Sequence, residues 1–113
     1  MESTRQKKVA RLVQKELANL FLTESKTLFW GAFITVTNVR ISPDLSYAKV
    51  YLSLFKAEKP QEMIDQINEM RKEIRKRLGE LIRKQLRIIP DIEFFLDDSL
   101  DYFEKIDRLL KNS

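Results

Sequence analysis

The chain predicts a single α+β domain in which helices cover a small three-stranded sheet. Three observations predict it. Apolar residues recur at helical spacing near the N-terminus and again over 60–86, whereas of two stretches between them the first is rich in β-branched residues and the second alternates with period two. "SPDL" separates those two stretches as turn chemistry, and Pro90 ends the second helical pattern just before a short apolar run. At 113 residues the chain fits one domain, 1–113, with one modest core.

The elements follow in order. Residues 3–22 form an amphipathic helix. Val9, Leu12, Val13, Leu17, Leu20 and Phe21 face a core, Lys7, Lys8, Arg11 and Lys15 lie opposite, and Ser3 or Thr4 caps the start. Residues 23–32, "TESKTLFWGA", form a loop broken at Gly31, with Trp30 as a lid over the core. Ile34, Val36 and either Val39 or Ile41 belong to a first strand. From Ser46 to Phe55 the second strand alternates: Ala48, Val50, Leu52 and Leu54 face inward, while Tyr47, Lys49, Tyr51 and Ser53 share the other face. Asp44, bonded to its neighbouring backbone, sets the register of this hairpin.

Residues 60–86 keep one helical stripe through Met63, Ile67, Met70, Ile74, Leu78, Leu81 and Ile82, with Pro60 in the first turn. The pattern predicts one long helix whose only weak point is Gly79. Lys72, Lys76 and Arg83 lie away from the stripe, with Arg75 and Lys84 at its margins. After Pro90, "DIEFFLD" reads as a third strand. "SLDYFEKIDRLLKN" reads as a closing helix, capped by Ser99, with Leu100, Phe103, Ile106, Leu109 and Leu110 inward.

The sequence offers little to catalysis. It has no His and no Cys, so a hydrolytic triad and thiolate chemistry are excluded, as are disulfides and most transition-metal sites. A cysteine-free chain suits a reducing cytoplasm. Its only glycines are Gly31 and Gly79, so it has no phosphate-cradling Gly-rich loop. Asp97, Asp98 and Asp101 lack the spacing and the Gly of a calcium loop and read as cap and surface acids. No cofactor and no metal is expected. No apolar run approaches the roughly 18 residues of a membrane span.

Charge is the strongest functional signal. Residues 1–22 hold five basic and two acidic side chains, and 71–87 hold eight and two. Residues 88–113 reverse the balance, with three basic and seven acidic. Cations gathered on two helices suit a polyanion, because Lys and Arg neutralise phosphates and release counterions. The candidate RNA-binding residues are Arg5, Lys7, Lys8, Arg11 and Lys15 on the first helix. On the second they are Lys72, Arg75, Lys76, Arg83 and Lys84, with Arg87 at its exit. Arg87 has an alternative role, holding the helix–strand junction. A second reading of the whole chain is a protein-interaction module that docks a basic partner on the acidic segment 99–111.

The hairpin "ITVTNVRISPDLSYAKVYLS" and the later "LRIIPDIEFFLDDSLDYFEKIDRLL" resemble the ribosome-binding factor A family. Val39, Ser42, Asp44, Ala48 and Val50 carry the resemblance in the first stretch, and Arg87, Pro90, Phe94 and Asp98 in the second. The N-terminal "TRQKKVARLVQKEL" is similar to the family's opening helix. The resemblance implies a KH-like fold of type II order, α-β-β-α-α-β, here with an added C-terminal helix. It implies a cytoplasmic, non-enzymatic factor, monomeric when free, that binds the small (30S) ribosomal subunit and its 16S rRNA. Its implied task is late 16S rRNA maturation, with a tie to growth in the cold. The family lacks the GxxG loop by which ordinary KH domains clamp a nucleic-acid backbone, and so does this chain. The family's Ala-x-Gly interruption between the middle helices falls, without gaps, on Lys72, Glu73 and Ile74. The acidic closing helix is expected on the side away from RNA.

Overall fold

The computed structural model describes residues 2–25, 29 and 31–97. The expected lid Trp30 and the expected closing helix lie outside the described residues. Six elements follow in the order α1 (Thr4–Thr23), β1 (Ile34–Ile41), β2 (Tyr47–Leu54), α2 (Pro60–Glu69), α3 (Arg71–Ile82) and β3 (Asp91–Leu96). This is the α-β-β-α-α-β order expected of a type II KH-like fold.

α1 begins at a capping box: the Gln6 backbone N–H donates to Ser3 Oγ at 3.1 Å, and Ser3 N–H donates to Gln6 Oε1 at 2.8 Å. Gln6 Nε2 then donates to the Ile41 carbonyl at 2.8 Å, so one buried amide caps the helix and ties it to β1. Val9, Val13, Leu17, Leu20 and Phe21 are buried on one face.

β2 is the central strand, antiparallel to β1 and parallel to β3. A parallel neighbour needs a long crossover, which α2 and α3 supply. Strict alternation along "ITVTNVRI" cannot turn Val36, Val39 and Ile41 to the same side, yet all three are buried. A bulge reconciles them. Val36 pairs with Leu52 and Asn38 with Tyr51, so β1 gains one residue there and the pleat reverses. On β2, Ala48, Val50 and Leu52 point inward as expected, Leu54 is half-buried, and Ser53 is buried as well.

The hairpin turn is closed by the Leu45 N–H donating to the Ser42 carbonyl at 2.9 Å. Leu45 takes a left-handed φ of 63°. Its partly buried side chain packs against the core, which offsets the strain that Gly would avoid.

The second helical pattern is two helices, not one. The break falls at Met70 (φ −96°, ψ 7°) rather than at Gly79, and helix ends at Ile82 rather than near 86. The Met70 N–H turns back to the Ile67 carbonyl at 3.0 Å, which tightens the last turn of α2. The break frees the two segments to serve different neighbours. α2 lies against β3, where the Asn68 amide exchanges two hydrogen bonds with the Phe94 backbone, at 2.9 and 2.8 Å. α3 runs beside α1, joined by Arg77 to Glu24 at 3.1 Å. At Gly79 a Cβ would meet Ile89 Cγ1 at 3.4 Å, an ordinary van der Waals contact.

One core fills the space between the helix layer and one sheet face. Ile64, Ile67, Ile74, Leu78 and Ile82 meet Val50, Leu52, Ile92 and Phe94 in it. Phe29, in the loop after α1, is fully buried and packs against Phe21 with ring centroids 4.8 Å apart. Phe21 also meets Phe94 edge-on at 5.8 Å. The opposite sheet face carries no helix among the described residues.

Candidate nucleic-acid interface

All eleven candidate cations are exposed, but they do not share one environment. On α1, Lys8, Arg11 and Lys15 follow one another at spacings of three and four, opposite Val9, Val13 and Leu17. They form an outward ridge. Lys7 lies on the flank nearer the sheet: it precedes by two turns Gln14, whose Nε2 donates to the Val36 carbonyl at 3.1 Å. On α3, Lys72, Lys76 and Arg83 share the face opposite Ile74, Leu78 and Ile82. The two helices lie side by side on one sheet face, so both ridges point away from the sheet. Six cations thus stand on one side of the molecule.

Arg5 and Arg87 meet at one end of this layer. They line a cleft of about 410 Å³ with Ser3, Val9, Asp44 and Leu86. Three stretches far apart in sequence build it: the start of α1, the hairpin turn and the α3–β3 connection. Lys84 is exposed just past the end of α3, where a cation suits the helix dipole.

Arg75 faces the other way. Its Nη2 donates to the Ile89 carbonyl at 2.7 Å and its Nε to the Pro90 carbonyl at 3.2 Å, with Asp91 Oδ1 at 3.3 Å. The residue that holds the helix–strand junction is therefore Arg75, and Arg87 is the one turned to a cleft. Arg77, which sequence reasoning left out, is paired with Glu24 and, one turn back, with Glu73 at 3.2 Å.

Sequence reasoning also missed Arg71. It is exposed at the start of α3 and lines a second cleft, of about 330 Å³, with Lys72, Arg75, Tyr47 and Asp91. Its signal was the helix break at Met70, which nothing in the hydrophobic pattern marks. At the rim of this cleft, Tyr47 donates its hydroxyl to Glu93 Oε1 at 2.6 Å. Burial pushes the Tyr47 phenol up to about 12, and the Glu93 carboxylate adds to the shift.

Among the described residues, no group of His, Cys, Asp or Glu side chains is placed to hold a metal ion. None of the described helices is long and apolar enough to cross a membrane. The arrangement presents many exposed cations on the outer faces of two helices.

Comparison with known proteins bears on the chain as a whole. A family model described as ribosome-binding factor A matches residues 5–110. A ribosome-binding factor A from Cytophaga hutchinsonii is 54% identical over 110 residues, covering 97% of this chain and 83% of its own length. One from Christiangramia forsetii is 41% identical over 113 residues, covering 97% of this chain and 85% of its own length. In fold, the chain is similar to the crystal structure of ribosome-binding factor A from Thermus thermophilus. The TM-score is 0.65 at 21% identity, over 80% of this chain and 94% of that one. A Thermus thermophilus ribosome-binding factor A homology model, fitted into a cryo-EM map of a 30S complex, aligns with a TM-score of 0.56 at 24% identity, over 84% of this chain and 93% of that one. A family match across nearly the whole length, backed by relatives at 54% and 41% identity, settles the relationship: the chain belongs to the ribosome-binding factor A family.

Proposed function

We propose that the protein is a ribosome assembly factor. It binds the small subunit and its 16S rRNA through the outer side of its helix layer, and it assists late maturation of that RNA. The observation that carries this reading is the pair of exposed cationic faces on α1 and α3 in a member of this family. Lys8, Arg11, Lys15, Lys72, Lys76 and Arg83 present point charges to phosphate, and Arg5, Arg87, Arg71 and Lys84 extend the surface at its ends. Phosphate contacts of this kind position a protein on RNA without reading sequence. Specificity for the small subunit then comes from the shape in which rRNA presents its phosphates to a rigid surface. The chain works as a binder in this reading, and no chemical step is assigned to it.

Sedimentation tests the reading. The protein should travel with free or immature small subunits and not with large ones, and Lys76→Glu with Arg83→Glu should release it. Equal association with both subunits, or retention of the double variant, would overturn it.

A further inference from the structure

The helix layer leaves the opposite sheet face with an unusual inventory. At the open end of the hairpin, Phe33 is 62% exposed and Phe55 is 59% exposed, and their rings meet edge-on at 6.2 Å. Lys56 Nζ stands 5.3 Å from the Phe55 ring centroid. Four residues back along β2, about 13 Å at strand rise, Tyr51 lies against Phe95 of β3, with centroids 5.7 Å apart and planes tilted by 31°. Lys49 Nζ stands 5.8 Å from the Phe95 ring. Arg40, which pairs with Lys49 across β1 and β2, is exposed beside it. Among the described residues, three acids share this face, and each has a partner: Asp91 meets Arg75 at 3.3 Å, Glu93 accepts the Tyr47 hydroxyl, and Asp97 Oδ2 accepts the Thr37 hydroxyl at 2.6 Å.

We propose that this face is a second RNA surface, which stacks the bases of a single strand on Phe55, Phe33, Tyr51 and Phe95 and steers its phosphates with Lys56, Lys49 and Arg40. Cross-strand packing explains Tyr51 against Phe95. It does not explain Phe33 and Phe55, which leave most of their ring surface in water. Rings interleaved with cations suit unpaired bases, whose π-faces are free, and not a duplex, whose bases already stack on one another. The surface lies on the far side of the sheet from the cationic ridge, so the protein would hold a single-stranded segment and a helical phosphate surface at once. This inference rests on the reading that the protein works on ribosomal RNA, and it fails separately from it.

The test uses the full chain with a short fluorescein-labelled oligouridine, a blunt RNA duplex as counter-probe, and ultraviolet crosslinking. Phe55→Ala and Tyr51→Ala should each weaken oligouridine binding about tenfold or more, the scale of one lost base stack. Phe55→Leu should weaken it similarly, since it keeps apolar bulk and loses the ring. None of the three should change duplex binding. Crosslinks should map to the β2 region. Ring variants that bind oligouridine like wild type, or binding abolished only by Lys76→Glu with Arg83→Glu, would overturn the proposal. No oligouridine binding by a protein that still sediments with small subunits would also overturn it, while leaving the proposed function standing.

Discussion

Asp44 Oδ1 accepts three hydrogen bonds, from the Ser42 hydroxyl at 2.7 Å, the Ser46 hydroxyl at 2.7 Å and the Ser46 backbone N–H at 3.1 Å. The Ser42 and Ser46 bonds hold its carboxyl down at about 2, below its ordinary 3.8. A carboxylate whose folded pKa is depressed stabilises the fold above its unfolded pKa, and that contribution is lost as pH falls through the folded value. The stability difference between wild type and Asp44→Asn should therefore be fully present above about pH 4 and fade toward pH 2; urea denaturation across that range measures it. Arg75 makes a different case. It reads as one more cation in a basic run, but its guanidinium closes the α3–β3 connection through the Ile89 and Pro90 carbonyls. Arg75→Ala should cost about 1.5–3 kcal/mol of stability, the range for hydrogen bonds to a charged group, and should reduce RNA affinity less than Lys76→Ala. Equal thermal stability in the two variants would contradict the clasp.

At the scale of elements, the break at Met70 makes a prediction at Gly79. Because Gly79 is no hinge, Gly79→Ala should stabilise α3 by up to about 1 kcal/mol of helix propensity. The new methyl reaches Ile89 Cγ1 at 3.4 Å, an ordinary contact. Calorimetry on that variant reads the answer, and a clear loss of stability would return the hinge to Gly79. Asn68 carries a second prediction. Its amide covers backbone groups that the edge strand β3 would otherwise leave unpaired at Phe94, so Asn68→Ala should cost about 1–3 kcal/mol. Size-exclusion chromatography should also show more self-association, through the uncovered edge. These elements show what was legible in the chain. α1, its cap at Ser3, both hairpin strands and β3 follow from period, turn residues and Pro90, because each is a local signal. The bulge near Thr37 and the break at Met70 carry no Gly or Pro. Ile67 and Ile74 keep one stripe through the break, so periodicity does not show it, whereas the family resemblance, which puts the interruption at Lys72, Glu73 and Ile74, falls two residues from it. Among the candidate cations, the ridge was legible because Lys76 and Arg83 stand opposite a clear apolar face. The clasp of Arg75 was not, since its carbonyl partners lie 14 and 15 residues away and meet it only in the folded chain.

For the whole molecule, the fold separates two kinds of surface. Helices on one sheet face gather exposed cations on their outer side, and the other sheet face offers exposed rings. In the proposed reading, a two-layer body with charge on its outer helices acts by binding RNA, and no catalytic group is assigned to it. Its affinity should therefore be dominated by counterion release and fall steeply with salt. The most direct measurement is the slope of log affinity for small subunits against log salt, in wild type and in Lys76→Gln with Arg83→Gln. Removing two phosphate contacts should lower the slope by roughly 1.4–1.8 units, with thermal stability unchanged within about 0.5 kcal/mol, as for exposed substitutions elsewhere. An unchanged slope in a folded double variant would contradict the assignment of the α1–α3 ridge as the RNA-binding face.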